Sequence, residues 1–407
     1  MARQVAKGST PVNDMTRVCS PVDTLTRILP KMREFGITRL ADVTGLDRIG
    51  LPVMLAVRPN ARSIAISQGK GTTADQARVS ALMEAIEIWH AERILTPLHY
   101  ASISDLEQAG HVLVSVDLLP ATPAGAVPRN VRMHWITAQD LISGTEKLVP
   151  YEMVHADFTH PVAHEAGYFA ASTNGLASGN HRLEAICHAV CEVVERDALS
   201  VWNHLSQTDQ ATTQIDPNSL KDAALDATVH RFLEAGLEVR IWDITTDTQI
   251  PSYLCLVLDR QADGAHPGLG SGSHPNPVIA MHRALNEAAQ TRLNYISGAR
   301  EDLCDAEYDV AGLMERTAYF EGLPTAKGPL RQFDKTTGLR AQTLEETLEG
   351  LISRLQAAGI LEIAVADLTH PAHDIPVVRV IIPGLEAPHD DTAYVPGSRA
   401  RAAGAAA

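Results

Sequence analysis

Residues 66–87 read ISQGKGTTADQARVSALMEAIE, and the fold turns on this stretch. A strand over Ser63–Ser67 leads into a glycine-containing loop, and a long helix follows. At about 100° per residue, Ser80, Glu84 and Glu87 fall within about 60° of one another on that helix. Met83 and Ile88 flank the strip, and Leu82, Ile86 and Trp89 lie behind it. A solvent-facing helix surface is broad and mixed with lysine. A narrow acidic strip in an apolar helix instead predicts a buried helix whose carboxylates face a cavity.

Two further segments follow the same plan. STNGLASGNHRLEAICHAVCEVVER spans residues 172–196, and LGSGSHPNPVIAMHRALNEAAQ spans 269–290. Gly71 precedes Glu84 and Glu87 by the same offsets at which Gly179 precedes Glu192 and Glu195. His274 stands at the matching distance before Glu287, with Gln290 in the second place. The pattern reads as a weak internal repeat with ExxE, ExxE and ExxQ at equivalent positions. Glu184, His188, Glu192 and Glu195 span about 80° of the second helix. Arg283, Glu287, Gln290 and Asn294 span about 60° of the third.

Buried carboxylates are costly when unpaired, and several together repel. The six glutamates of these strips exceed the two arginines beside them, Arg196 and Arg283, so divalent cations are expected. Mg²⁺ prefers oxygen ligands and binds through a few carboxylates plus substrate phosphates. The glycine-rich segments before the helices suit phosphates, since backbone N–H groups and helix N-termini attract anions. One ExxE alone reads as a solvated face; two in apolar helices do not. Lys70 in SQGKGTT is like a P-loop lysine, but GxxxxGK[ST] is absent. His188 is open to a polar packing role or a functional one. His155, His160 and His164 read as surface or packing residues, and neither HExxH nor a Cys/His zinc pattern occurs. No GxSxG elbow or Cys/His nucleophile pair is found.

The chain has 407 residues, 45% of them hydrophobic, which is ample for a buried core. A net charge of -15 makes a poor nucleic-acid binder, because phosphate backbones need clustered Lys and Arg. The five cysteines are odd in number and only Cys187 and Cys191 are close, so buried reduced thiols are expected rather than disulfides. No secretory h-region opens the chain and no apolar run reaches 18 residues, which fits a cytoplasmic protein without a membrane span. Residues 1–14 read as a polar arm, 15–385 as the main domain and 386–407 as a Pro/Ala/Gly-rich mobile tail. The Pro-rich residues 97–150 are expected to pack around the main body.

SQGKG with SALMEAIE, NGLASGN with EAICHAVCEVVERDA, and RALNEAAQTR resemble, in order and spacing, the three ATP-site segments of the YcaO family. The resemblance covers roughly residues 15–398. It implies an α+β fold peculiar to the family, with mixed sheets and three long carboxylate-bearing helices around a central ATP site, in a homodimer. It implies ATP held through Mg²⁺ by Glu84, Glu87, Glu184, Glu192, Glu195 and Glu287. Ser80, Asn180, Arg196 and Arg283 match further nucleotide-site positions, and Arg17 is the candidate for an N-terminal phosphate contact. Arg196 and Arg283, beside the acid strips, are the candidate catalytic cations.

Members of the family phosphorylate a backbone amide oxygen of a peptide or protein and let a nucleophile replace it. A neighbouring side chain gives an azoline, sulfide a thioamide and an amine an amidine. ITRLADVTGLDRIGLPV and VVRVIIPGLE resemble the stand-alone branch paired with a TfuA partner and associated with thioamides. The Pro-rich ending frequent in azoline-forming members is absent. The resemblance therefore implies thioamidation with an external sulfur donor and a TfuA-like partner, with azoline formation as the alternative. A non-catalytic ATP-binding scaffold is the other class, disfavoured because every aligned motif position is filled. An ATP-grasp or kinase-like ligase would need a lysine-bearing strand and an Asp/Asn metal loop, and neither is found.

Overall fold

Among the described residues three antiparallel sheets carry the fold, and each supports one long helix. The computed structural model describes residues 17–159, 166–259, 266–387 and 394–405; the expected arm over 1–14 lies outside these. The first sheet is β1 (Arg39–Asp42), β2 (Val53–Val57) and β3 (Ile66–Lys70), in that order. Helix α1 (Pro21–Ile28) continues as a 3₁₀ turn that stops at Gly36, in the left-handed conformation expected of a C-terminal glycine. Helix α2 (Ala74–Ala91) follows β3 and is capped by Thr73, whose hydroxyl accepts from Gln76 N.

The largest sheet runs β4-β5-β12-β13-β7, with β6 paired to β5. Its strands are β4 (His99–Ser102), β5 (Arg132–Asp140), β6 (Glu146–Pro150), β7 (Leu176–Ser178), β12 (Ala364–Asp367) and β13 (Val377–Ile381). The Pro-rich stretch 97–150 therefore does more than pack around the body: it builds half of this sheet, beside the short α3 (Ile103–Gln108). Helix α4 (Arg182–His204) lies on β7 and β13.

The third sheet runs β11-β10-β9-β8. After α5 (Gln207–Thr212) come β8 (Gln214–Ile215), α6 (Ala223–Glu234), β9 (Glu238–Asp243), β10 (Ser252–Leu258) and β11 (Gly268–Ser273). Helix α7 (Pro277–Ser297) begins at an Asn276 cap with proline in the first position. Helices α8 (Val310–Glu321), α9 (Leu344–Ala357) and α10 (Ser398–Ala405) complete the α+β fold. The sheets, expected as mixed, pair antiparallel at every strand ladder. Among the described residues no helix is long and apolar enough to cross a membrane.

Two local expectations change. The strand expected at Ser63–Ser67 lies at Ile66–Lys70, where it pairs with β2 from Val57↔Ile66 to Val53↔Lys70. GLGSGS, expected as a phosphate-cradling loop, is strand β11. Glycine disfavours strands, but here α7 lies directly on the strand. A Cβ on Gly268 would stand 2.1 Å from Ala288 O, one on Gly270 2.2 Å from Ala288 N, and one on Gly272 2.3 Å from Ala280 O. Gly69 has the same relation to α2, with Ala77 O and Ala81 N both at 2.1 Å. These glycines permit close helix–strand approach, and the strand N–H groups are spent on the ladder and on glutamates.

The C-terminal segment, expected to be mobile, is fastened to α4. Arg399 forks onto Asp197, with Nε–Oδ1 at 2.8 Å and Nη2–Oδ2 at 3.0 Å. Glu386, buried, accepts from the backbone N–H of Gly397, Arg399 and Ala400. Two buried acids meeting one short helix explain why an Ala/Gly-rich ending stays in place. Cys187, Cys191 and Cys255 are buried free thiols as expected, whereas Cys19, at the cavity before α1, is half-buried and Cys304 is exposed.

Gly270→Ala is expected to lower unfolding stability by about 3 kcal/mol, since the methyl group collides with backbone that only a lifted helix could relieve. Urea denaturation checks this; an unchanged midpoint would show that α7 shifts off β11 at little cost.

Candidate active site

The three long helices meet around one cavity of ≈ 680 Å³, and all eleven residues singled out in the sequence line it. The geometry is cyclic. Helix α2 packs on its own β3 and touches β7; α4 packs on β7 and touches β11; α7 packs on β11 and touches β3. The glutamates follow the same rule. The first acid of each pair accepts from the N–H of its own unit: Glu84 from Gln68 at 3.4 Å, Glu192 from Gly175 at 3.3 Å, Glu287 from Ser271 at 3.3 Å. The second acid reaches the next unit. Glu87 accepts from Ser178 N at 2.8 Å and its hydroxyl at 2.7 Å, and Glu195 from Ser273 N at 3.0 Å and Ser271 Oγ at 2.7 Å. In the third unit Gln290 closes the ring by donating Nε2 to Gln68 O at 2.9 Å. The weak repeat in the sequence is thus a three-part ring in space.

Besides Arg196 and Arg283, four cations stand near the acids, the candidate Arg17 among them. Arg17 Nη1 meets Glu184 Oε1 at 2.9 Å, and Asn180 N approaches the same oxygen at 3.4 Å. Lys70, at the position equivalent to Ser178 and Ser273, pairs with Glu287. Arg300 lines the cavity near Glu84, and the buried Arg379 stands behind Glu192. Lys70 had a sequence signal that the missing P-loop pattern obscured; Arg300 lies outside every motif, and Arg379 lies within VVRVIIPGLE, which pointed to a branch of the family and not to a charge at the site. Arg283 donates to Ser273 O at 3.1 Å and to His188 Nε2, which fixes its direction into the cavity. Arg196 lies 4.0 Å from Glu195. Ser80 lines the wall one turn before Glu84.

These cations leave part of the acidity uncompensated. Burial raises Glu84 to about 7 and Glu87 to about 8, and pushes Glu192 up as well. Burial would raise Glu287 too, but Lys70 and Arg196 outweigh it and hold that carboxyl low. His188 and His274 are kept neutral by burial and by Arg283, His274 at about 3. His155 packs against Tyr151, rings 4.8 Å apart, away from the cavity. His160 and His164 lie outside the described residues.

A wall of carboxylates raised by burial, with arginines and a lysine beside them, fits a polyphosphate that brings its own divalent ions. Among the described residues no three acids or histidines form a ready-made metal cage. Mg²⁺ binds through one or two carboxylates together with substrate phosphates.

The family model described as YcaO cyclodehydratase, ATP- and Mg²⁺-binding, matches residues 68–386. The chain belongs to the YcaO family. It is 35% identical over 399 residues to an uncharacterized protein in the tfuA 3′ region of Rhizobium leguminosarum bv. trifolii, covering 95% of this chain and 92% of that one. Among solved structures it is similar to the YcaO protein of Methanopyrus kandleri bound with AMPPCP and Mg²⁺, at TM-score 0.74 and 25% identity over 96% of this chain and 98% of that one. A heterocyclase in complex with substrate and cofactor shares the fold at TM-score 0.77 and 21% identity; the match covers 94% of this chain and 54%, about half, of that one. The YcaO family comprises ATP-dependent peptide-modifying enzymes, and ATP and Mg²⁺ are the cofactors of this chain.

The raised carboxyls make a prediction for the cofactor-free protein. Glu87, titrating near 8 when folded, supports the fold fully only below its ordinary value, and that support is lost as pH rises towards 8. Gln at this position still accepts from Ser178 but carries no charge. Glu87→Gln apoprotein in chelator should therefore gain on wild type from about pH 5 to about pH 8, reaching on the order of a few kcal/mol. A pH-independent difference between the two denaturation curves would contradict the burial account.

Proposed function

We propose that this chain activates a backbone amide of a peptide or protein by moving the γ-phosphoryl group of ATP to its oxygen, with release of ADP, and that sulfide then attacks the amide carbon and expels that oxygen as inorganic phosphate, leaving a thioamide. The observation that carries the reading is the ring of six glutamates, interleaved with cations, around one cavity. In this reading Glu84, Glu87, Glu184, Glu192, Glu195 and Glu287 hold Mg²⁺. Ser80, Asn180 and Arg17 position the nucleotide. ATP supplies a transferable phosphoryl group and Mg²⁺ the charge to stabilise it. Arg196 and Arg283 stabilise negative charge that develops between the amide oxygen and the phosphorus. Arg283 is preset for this by Ser273 O and His188. The half-enclosed wall limits water, which would otherwise compete with the incoming nucleophile.

An external nucleophile is supported by the cavity's own chemistry. Cys187 and Cys191 line the wall, but burial pushes the thiol of Cys191 up to about 12 and that of Cys187 higher still. His188 Nε2 already accepts from Arg283. Positioning and charge therefore carry the reaction, with little acid–base work by side chains. The relative in the tfuA 3′ region supports a TfuA-like partner alongside the external sulfur donor. We further propose a cytoplasmic homodimer that binds neither nucleic acid nor membrane, in keeping with its net charge of -15.

Calorimetric titration of ATP with and without Mg²⁺ tests the site. Binding should depend on Mg²⁺ and weaken in Glu84→Gln and Glu192→Gln while both variants stay folded. No binding with Mg²⁺ in the presence of the TfuA-like partner would remove the reading. Arg196→Met and Arg283→Met should each lower turnover about 100-fold or more; unchanged turnover would strip that residue of its role. Mass spectrometry of a modified peptide separates the chemistries: exchange of oxygen for sulfur marks thioamidation, and loss of water marks azoline formation.

A further inference from the structure

The ring of acids around the cavity changes character at one corner. Where the first two units place a second glutamate, the third places Gln290. Glu87 and Glu195 accept from the next strand; Gln290 donates to it, at Gln68 O. From this corner outward the wall changes from carboxylate to carboxamide. Asn286, Gln290 and Asn294 repeat every fourth residue along α7, and so form one stripe. Gln68 faces them from β3, on the alternate-residue face that also turns Ile66 and Lys70 to the cavity.

Gln290 apart, these amides present polar atoms without internal partners. Gln68 is 4% exposed, and both its side-chain oxygen and nitrogen are buried with no hydrogen bond; Asn286 Oδ1 and Asn294 Oδ1 are likewise unpaired. Buried unmade hydrogen bonds are destabilising. Gln68 and Asn286 are both more than nine-tenths buried and line the cavity. Such a cluster is the mark of a ligand that supplies donors and acceptors together.

We propose that the Gln68–Asn286–Gln290–Asn294 wall receives the backbone of the substrate peptide in extended form. The inference rests on the peptide-activating reading of this cavity. A carboxamide both donates and accepts, and so does each peptide unit. Asn286 to Asn294 spans about 12 Å along the helix. An extended chain rises about 3.3 Å per residue, so the stripe matches three to four residues, whereas a nucleobase would engage only one end of it. Substitution of glutamate by glutamine at position 290 also keeps cations off this corner. The cation-holding carboxylates then lie at one end of the wall and a neutral backbone along the rest. Recognition through backbone amides makes this part of the site indifferent to substrate side chains.

The test uses the full chain, Mg²⁺, a non-hydrolysable ATP analogue and a capped Gly/Ser tetrapeptide as the probe. Saturation-transfer NMR measures probe binding, and calorimetry measures the nucleotide. Gln68→Met and Asn294→Leu should each raise the probe Kd about three- to tenfold, and nucleotide Kd should stay within about twofold, the scale of experimental scatter rather than of a lost bond. Both apoproteins should melt at or above the wild-type temperature, because an unpaired amide has been replaced by an apolar isostere. Equal loss of nucleotide affinity would assign the wall to the nucleotide and overturn the proposal. So would an unchanged probe Kd in the double variant, lowered melting in both apoproteins, or no probe binding to wild type. Failure of wild type to bind Mg·ATP would instead overturn the peptide-activating reading. The probe titration repeated without nucleotide then decides the wall by itself.

Discussion

Glu87 accepts two hydrogen bonds from Ser178, and with them the first strand–helix unit is tied to the second. Glu195 repeats the contact between the second and third units through Ser271 and Ser273. A carboxylate buried in this way is costly unless it is satisfied. These two bonds therefore serve the fold and the site at once. They fix the angle at which three helices converge, and they leave the remaining carboxylate oxygens facing one space. Close approach of each helix to its strand depends in turn on Gly69, Gly268, Gly270 and Gly272. Remove that approach and the acids no longer share a cavity.

The balance of charge around the cavity follows from the same constraint. Burial drives Glu84, Glu87 and Glu192 towards protonation. Lys70 opposes this at Glu287, and Arg17 pairs with Glu184. The result is a site with two sides: Glu184 and Glu287 carry direct ion pairs, while burial dominates at Glu84, Glu87 and Glu192. A polyphosphate with divalent cations complements both sides, which is the cofactor set of the YcaO family. The buried Arg379, with Nη2 on Ser172 O at 2.7 Å, adds a fixed charge behind Glu192 from a strand that contributes nothing to the cavity lining. The anchored C-terminal helix adds a second brace. Arg399 holds Asp197, two residues beyond Glu195, so the end of the chain steadies the helix that carries three of the six acids.

Much of this was legible in the chain itself. Helical period placed Glu84 beside Glu87 and Glu192 beside Glu195, and those strips do face a common cavity. Equal offsets from Gly71, Gly179 and His274 announced three equivalent units. The failures share one cause. GLGSGS read as a loop because glycine lacks strand propensity, yet the burial of α7 on its face makes glycine necessary there. RARAAGAAA read as loose because its own residues bury little, yet Asp197 and Glu386 wait for it far away in sequence.

Local pattern thus determined which helices form, which face of each is acidic and that three segments are copies of one plan. These depend on bonds and angles within a few residues, and a sequence displays them directly. Only the tertiary structure decided what each acid meets. The partners of Glu87, Glu195 and Glu287 lie 91, 76 and 217 residues away, as Ser178, Ser271 and Lys70. It also decided that the third corner of the ring is neutral in effect as well as in name, because Gln290 turns its amide to Gln68 O. Charge compensation in a buried site depends on distance in space, and distance in space between remote residues is set by how the sheets and helices pack.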